Sequence, residues 1–180
     1  MPRLFVAIDF PEAVNQQLIG LCKDISKAKW IKPGQIHLTL RFIGEVTDEQ
    51  AELLKLALRE VRAKAFDLQL KGTGTFPQEA DRRPRVLWAN VEAGPELREL
   101  AGKVDEAARA AGQVLKNEDF IAHVTLARFR YPPGPELRRW QKRYADFESQ
   151  VIRVSHFHLN ESRLNPDGAI HTIIESFRLS

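Results

Sequence analysis

The 180-residue chain has little cysteine and no long apolar run. Its single cysteine, Cys22, excludes an internal disulfide and is typical of a reducing cytoplasm, where we expect the protein to work. No stretch approaches the roughly 18 consecutive apolar residues that a membrane-spanning helix needs. The N-terminus also lacks the basic region, apolar core and cleavage site of a signal peptide. We therefore expect a cytoplasmic protein with no membrane partner.

Sequence motifs for common cofactors and metals are missing as well. There is no His-Glu-x-x-His pattern, no paired-cysteine site and no glycine-rich phosphate loop, and Gly72-x-Gly74 is too short to count as one. His156 and His158 share one strand face and could bind a metal, with His171 as a third ligand if the last strand lies alongside. Polar positions on an outward sheet face explain the pair better. We expect no metal and no cofactor.

Positive charge is in slight excess. The net charge is +3 with a pI near 9.1, which is compatible with a polyanionic partner. Basic side chains cluster in predicted loops at Arg82-Arg83-Pro84-Arg85 and at Arg128 and Arg130. Solvated loop charges explain any one of these clusters equally well, so charge alone does not indicate the function.

The apolar periodicity predicts strand-helix-strand-helix-strand twice, followed by one extra strand. Predicted strands are Arg3–Phe10, Ile36–Ile43, Phe66–Leu70, Arg85–Trp88, Ile121–Phe129, Val151–Leu159 and Ala169–Leu179. Predicted helices begin at Pro11-Glu12, at the capping box Thr47–Gln50, at Pro95-Glu96 and at Pro135-Glu136. We expect one α+β domain over residues 1–180, with pseudo-repeats at about 1–80 and 83–165 and an extra strand at 169–179. The predicted loop Gly72–Arg85 joins the halves.

Two short motifs support this duplication. His37-Leu38-Thr39-Leu40 and His123-Val124-Thr125-Leu126 have the same pattern, and the distances from His37 to Leu68 and from His123 to Val154 are both 31 residues. Because side chains alternate along a strand, His and Thr share one face of each strand. Duplicated halves commonly pack about a pseudo-twofold axis, which would bring the two polar faces together across one cleft.

This constellation suits phosphate ester chemistry. Imidazole exchanges protons near neutral pH, and two imidazoles on opposite sides of a phosphorus can serve as acid and base in an in-line displacement. Threonine hydroxyls can donate to the non-bridging oxygens. A serine-type triad fits less well, since neither motif brings a carboxylate.

The chain resembles the two-histidine phosphoesterase superfamily, and within it the RNA 2′,3′-cyclic phosphodiesterases, also called 2′-5′ RNA ligases. The resemblance covers nearly the whole chain and includes both histidine motifs. It is carried by Arg3–Asp9, Ile36–Glu45, Arg83–Trp88, His123–Arg128 and Glu161–Leu164. It departs from the family at Ile121-Ala122, where relatives often carry Arg-Pro, and at His171, where an aromatic residue is frequent.

The resemblance implies a bilobal α+β fold in which two antiparallel sheets with outer helices line a central cleft. It also implies metal-independent hydrolysis of a terminal 2′,3′-cyclic phosphate to a 2′-phosphate, with reversible 2′-5′ ligation. Expected partners are RNA ends with a cyclic phosphate, including tRNA fragments, and cyclic nucleotides. These expectations describe a monomeric RNA-processing enzyme.

Roles for individual residues also follow from the resemblance. His37 would donate a proton to the leaving 3′-oxygen, His123 would accept one from water, and Thr39 and Thr125 would hold phosphate oxygens. Arg128 matches a family arginine that we expect to bind phosphate. Simple alternation places it on the face opposite His123, so this role needs a β-bulge or a strand end.

Arg41 shares the parity of His37 and Thr39 and is a second expected phosphate contact. Phe42 and Phe129 could stack on a base, although core packing is the more common fate of such residues. Two other functions remain open: an esterase for another 2′-5′ or cyclic nucleotide phosphate, and a non-catalytic RNA-end binder. Substrate competition would separate the first alternative, and binding without turnover would indicate the second.

Overall fold

The computed structural model describes residues 1–78 and 83–180. Within these ranges the chain forms nine strands, four α-helices and a short 3₁₀ helix at Pro33–Gln35. The strands are β1 Arg3–Ile8, β2 Ala28–Trp30, β3 Leu38–Glu45, β4 Phe66–Phe76, β5 Val86–Ala93, β6 His123–Phe129, β7 Glu148–Val154, β8 His156–Asn165 and β9 Gly168–Arg178. The helices are α1 Glu12–Leu21, α2 Asp48–Arg59, α3 Pro95–Ala110 and α4 Pro135–Arg143.

The strands form two sheets. Sheet A has the order β3-β1-β8-β9, and sheet B has the order β2-β6-β5-β4-β7. Every pairing among the described strands is antiparallel. This confirms the predicted α+β class with two antiparallel sheets. β3 of sheet A lies against β6 of sheet B, so the strands that carry the two histidine motifs are neighbours across the junction of the sheets.

Local sequence signals set the helix ends. At the start of α2, the Thr47 hydroxyl accepts a hydrogen bond from the Gln50 backbone N–H at 3.1 Å, and the Gln50 side chain accepts one from the Thr47 N–H at 2.8 Å. The predicted capping box is therefore confirmed. Cys22, just after α1, is half-buried, and burial raises the pKa of its thiol to about 11. Among the described residues, no helix combines the length and apolarity that crossing a membrane requires.

The predicted single strand Val151–Leu159 is wrong. The chain forms β7 in sheet B, turns at Ser155 and continues as β8 in sheet A. The buried positions change parity at this turn, from Ile152 and Val154 on β7 to Phe157 and Leu159 on β8. Odd and even positions of one strand point to opposite faces, so the change of the buried apolar positions from even to odd numbers indicated two strands.

The predicted loop Gly72–Arg85 is wrong over its first five residues. β4 continues through Phe76, with a β-bulge between Leu70 and Thr73. Gly72 has a φ of +77° at this bulge, which glycine adopts without steric cost. The glycines of this segment therefore predicted a loop where the chain forms an irregular strand. Residues 79–82 of the loop lie outside the described residues. The short strand β2 was not predicted.

Each sheet contains strands from both sequence halves. β4 of the first half pairs with β5 of the second in sheet B, and β8 of the second half pairs with β1 of the first in sheet A. The equal 31-residue spacings end on β4 and β7, which are neighbours in sheet B. One cluster of buried apolar residues includes members of both sheets, such as Leu4 and Leu87.

Candidate active site

His123 begins β6, and its ring is fixed by a neighbouring carbonyl. The Nδ1 atom lies 2.8 Å from the backbone oxygen of Ile121. A carbonyl only accepts hydrogen bonds, so Nδ1 of the neutral ring donates and Nε2 carries the free lone pair. The ring packs edge-on against Phe76, with centroids 4.9 Å apart, and lies 6.3 Å from the Trp88 ring. This tautomer is the one that can accept a proton at Nε2.

Trp88 occupies its place because the facing residue on β4 is glycine. Trp88 pairs with Thr125 on one side and with Gly74 on the other. A Cβ atom at Gly74 would lie 2.2 Å from the Trp88 ring, closer than atoms can approach. Gly74 therefore leaves room for the indole beside His123. The indole Nε1 is buried and has no hydrogen-bond partner among the described residues.

His37 lies in the extended segment between the 3₁₀ helix and β3. Its ring packs against Phe5, with centroids 4.8 Å apart, and edge-on against His171, at 5.1 Å. Phe5 and His171 also contact each other, at 4.9 Å. Three rings from β1, β9 and the start of β3 thus form one cluster on sheet A.

The pKa of His37 is lowered from its usual value of 6.5 to about 4. Burial is the main cause, because it penalises the charged ring, and repulsion from His171, His123 and Arg128 adds to it. The Gln35 backbone acts in the opposite direction. His37 is therefore neutral in the ligand-free protein near pH 7. The coupling to His123 and Arg128 also means that residues of both sheets act on one ring.

Thr39 and Thr125 complete the two motifs on adjacent strands. Thr39 lies on β3 opposite Ala7, and Thr125 lies on β6 opposite Trp88. Both are partly buried, whereas the neighbouring Leu38 and Val124 are fully buried, as strand alternation requires. Thr39 and His123 line the same cavity, which joins the two motifs across the junction of the sheets.

A β-bulge in β6 determines the position of Arg128. Thr125 pairs with Trp88 and Ala127 pairs with Leu87, so Leu126 is an extra residue. Leu126 and Ala127 are therefore both buried, and the alternation resumes with Arg128 on the face that Thr125 occupies. The bulge that a phosphate-binding role needs is thus present. Arg128 makes no ion pair with the described residues, and its charge acts on His37.

Arg41 lines the same cavity as Thr39 and His123, but acidic residues lie close to its guanidinium group. Its Nε lies 3.4 Å from Asp105 of α3, its Nη1 lies 3.5 Å from Glu118, and its Nη2 donates to the Lys116 carbonyl. The two carboxylates offset the charge that an anion would bind, although the buried Nε donates no hydrogen bond to the described residues. The contact of Arg41 with phosphate therefore stays a prediction, while its ion pairs and its hydrogen bond link β3 to α3 and to the segment before β6.

The other histidines, phenylalanines and arginines singled out in the sequence lie in different parts of the structure. His158 is bound by Asp9 and Ser176, and His156 by Ser155, and the described residues hold no group of three metal-ligating side chains. Phe129 is buried in the core, while Phe42 is half-exposed with the Arg3 guanidinium above its ring. Arg82 lies outside the described residues. The Arg83 side chain donates to the Arg130 carbonyl.

Sequence reasoning missed the aromatic surroundings of both histidines. Phe5, His171, Phe76 and Trp88 contact the two imidazoles, and none was predicted to belong to the site. One signal was available for Phe5. It has the parity of Arg3 on β1 and of Asp9 just after the strand, opposite to the core residues Leu4 and Val6. The remaining three come from distant strands, and only the pairing of those strands brings them close.

Comparison with known proteins identifies the family. The profile of the LigT-like phosphoesterases matches residues 8–88 and, separately, residues 89–171. The chain belongs to this family. An RNA 2′,3′-cyclic phosphodiesterase of Archaeoglobus fulgidus is 32% identical over 97% of this chain and 99% of its own length. One of Aquifex aeolicus is 32% identical over 98% and 97%.

A solved structure agrees with the sequence comparisons. E. coli LigT in complex with 3′-AMP superposes with a TM-score of 0.79 at 26% identity, covering 100% of this chain and 99% of that one. The protein is thus a hydrolase of the phosphoester class with the LigT fold. Both family matches contain one histidine motif, since His37 lies in the first and His123 in the second.

Proposed function

We propose that this phosphoesterase hydrolyses terminal 2′,3′-cyclic phosphates of RNA to 2′-phosphates by acid–base catalysis with two histidines. The names of the relatives support the reaction class, because they are RNA 2′,3′-cyclic phosphodiesterases about as long as this chain. The observation that supports the proposal is the placement of His37 just before β3 and of His123 at the start of β6, on two strands that contact each other, with a free Nε2 lone pair on His123.

In the proposed reaction, His123 Nε2 removes a proton from water as the water oxygen attacks phosphorus. The new P–O bond forms as the bond from phosphorus to the 3′-oxygen breaks, and protonated His37 gives its proton to that 3′-oxygen. The phosphate remains on the 2′-oxygen. One proton is taken up by His123 and one is released by His37, so exchange with solvent restores both residues.

Thr39, Thr125 and Arg128 stabilise the charge that develops on the non-bridging oxygens. The two hydroxyls lie on adjacent strands and donate to different oxygens, while Arg128 supplies a positive charge that no acidic residue described here neutralises. Removing one such donor typically lowers kcat by about 10²–10³-fold. The substitutions Thr39→Val and Thr125→Val are expected to do so while preserving side-chain shape.

Phosphorus NMR of the product tests the reaction. Purified protein in excess EDTA is incubated with an RNA oligonucleotide ending in a 2′,3′-cyclic phosphate. The expected product is the 2′-phosphate alone, and His37→Asn and His123→Asn are each expected to abolish its formation. His156→Asn is a matched control, since this exposed histidine bonds to Ser155 away from the cleft. Activity in both cleft variants, or a 3′-phosphate product, contradicts the assignment.

The same geometry allows ligation. With an RNA 5′-hydroxyl in place of water, His123 would deprotonate that hydroxyl and form a 2′-5′ linkage, and the reverse reaction exchanges the roles of the two histidines. Ligation should therefore need both histidines, as hydrolysis does. A variant that loses hydrolysis and keeps ligation contradicts a shared mechanism.

A further inference from the structure

Two positive side chains lie side by side at the edge of sheet B. Lys29 on the edge strand β2 pairs directly with Arg128 on β6, and both side chains are exposed. Residues directly opposite each other on neighbouring strands point to the same face of a sheet. Lys29 therefore shares the face of Arg128, the residue proposed to stabilise the reacting phosphate. We call these two residues the edge pair.

The next residue of β2 shows which face the edge pair occupies. Trp30 pairs with Ala127, and its ring packs against Trp140 of α4 with centroids 6.1 Å apart. Because side chains alternate along a strand, the edge pair projects from the opposite face, away from α4. The β-bulge in β6 puts Arg128 on the face of Thr125. The edge pair therefore lies on the face of sheet B that carries the second histidine motif.

The edge pair is electrostatically unfavourable without an anion. Like charges directly opposite each other on neighbouring strands repel and destabilise the sheet. Within residues 1–78 and 83–180, neither Lys29 nor Arg128 forms an ion pair with an acidic side chain. A bound anion offsets this repulsion. Arg128 already serves the reacting phosphate in the proposed mechanism, so Lys29 is available to a second anionic group.

Further guanidinium groups extend the positive charge past the end of β6. Arg130 is exposed and lies over the ring of Tyr131, 5.6 Å from its centroid, and the Tyr131 side chain is itself exposed. The Arg83 side chain donates a hydrogen bond to the Arg130 carbonyl, so a fourth cation lies at the same corner of sheet B. Clustered cations with an exposed aromatic ring are typical of surfaces that bind single-stranded nucleic acid.

We propose that Lys29 binds the phosphodiester that joins the terminal nucleotide of an RNA substrate to the nucleotide before it, while Arg128 holds the reacting phosphate. This proposal rests on the proposed function and adds the path of the RNA chain, from the reacting phosphate across β6 to the edge strand β2. Neighbouring strands lie about 4.8 Å apart and both side chains are long, so the edge pair can bind two phosphates of one chain at once. A mononucleotide lacks the second phosphate, so Lys29 favours RNA chains over mononucleotides.

Equilibrium binding with and without the second phosphate tests this role. Calorimetry at fixed pH compares adenosine 2′-phosphate with the RNA dinucleotide ApA that carries a terminal 2′-phosphate, using the wild type and Lys29→Gln. The wild type should bind the dinucleotide more tightly. Lys29→Gln should weaken dinucleotide binding about 3- to 5-fold at low salt and leave mononucleotide binding unchanged. It should also make the slope of log affinity against log salt for the dinucleotide less steep by about 0.7, the value for one phosphate contact on a single strand.

Lys29→Arg and Lys64→Gln are the matched controls. Lys29→Arg keeps the charge and should bind the dinucleotide as the wild type does. Lys64 is an exposed lysine between α2 and β4, where the neighbouring residues hydrogen-bond to Ser180, and Lys64→Gln should change the affinity for neither ligand. Equal weakening of both ligands in Lys29→Gln, an unchanged salt slope, or the same loss in Lys64→Gln overturns the proposal. The binding assay needs no turnover, so an inactive wild type would contradict the proposed function and leave this test intact.

Discussion

The protonation state of His37 provides a quantitative test of the mechanism. The general acid must carry a proton, yet burial and neighbouring positive charge lower the pKa of His37 to about 4 in the free protein. We infer that the negative charge of the bound substrate raises the pKa of His37, so that the ring takes up a proton from solvent when the substrate binds. A unit negative charge about 4 Å away attracts the imidazolium by about 1 kcal/mol in a water-like medium and about 4 kcal/mol at an effective dielectric constant of about 20.

These energies set the expected pKa of the complex. Each 1.36 kcal/mol corresponds to one pH unit, so binding should raise the pKa of His37 from about 4 to a value between about 5 and about 7. The upper value applies if the cleft excludes water around the phosphate. It would leave roughly half of the enzyme–substrate complexes with a protonated His37 at neutral pH.

NMR of the imidazole resonances measures this change. The inactive variant His123→Asn is titrated with pH, free and bound to 2′,3′-cyclic AMP, and the His37 signal is assigned by its loss in a second variant, His37→Gln. A pKa near 6.5 in the free protein would refute the burial argument. A value still near 4 in the complex would exclude His37 as the acid. His171→Phe serves as a control, because removing this neighbouring imidazole should raise the free value.

Three further predictions address other parts of the site. Gly74→Ala should displace the Trp88 indole, lower the free energy of unfolding by about 1–3 kcal/mol in urea titrations and reduce kcat; a fully stable, fully active variant contradicts the contact. Arg128→Gln should raise KM for cyclic nucleotides, whereas Arg41→Gln should mainly lower the melting temperature, and identical effects on KM contradict this distinction. The folded protein binds fewer protons at His37 than the unfolded chain between pH 6.5 and 4, so stability should fall by about 3 kcal/mol as the pH drops through this range. The fall in the free energy of unfolding should be smaller in His37→Asn, and an equal fall in this variant contradicts the assignment of the pH dependence to His37.

Much of the site could be predicted from short-range sequence patterns. The spacing of His37 and Thr39, and of His123 and Thr125, puts each pair on one strand face because side chains alternate with a period of two. The capping box at Thr47 sets the start of α2 through bonds between residues three positions apart. Such features depend on neighbours in the chain, so the sequence alone contains the information.

Other features depended on strand pairing. Arg41 was predicted as a phosphate contact from its parity and Arg128 from the family resemblance, but Arg41 meets Asp105 of a distant helix while Arg128 makes no ion pair with the described residues. The bulge at Leu126 arises from the register between β5 and β6, and it reverses the face that simple alternation gives to Arg128. The phase change at Ser155 was visible in sequence, but not that β8 would join the opposite sheet.

By itself, the amino-acid sequence determined which side chains share a strand face, where the capped helix begins and which two motifs carry the chemistry. The tertiary structure decided that β3 meets β6, that His171 and Phe5 enclose His37, and that burial among positive neighbours keeps this imidazole neutral. The physical reason is the separation along the chain of the groups that interact. Alternation and capping act over two to four residues, whereas desolvation and charge repulsion depend on groups that only the folded sheets bring within a few ångströms.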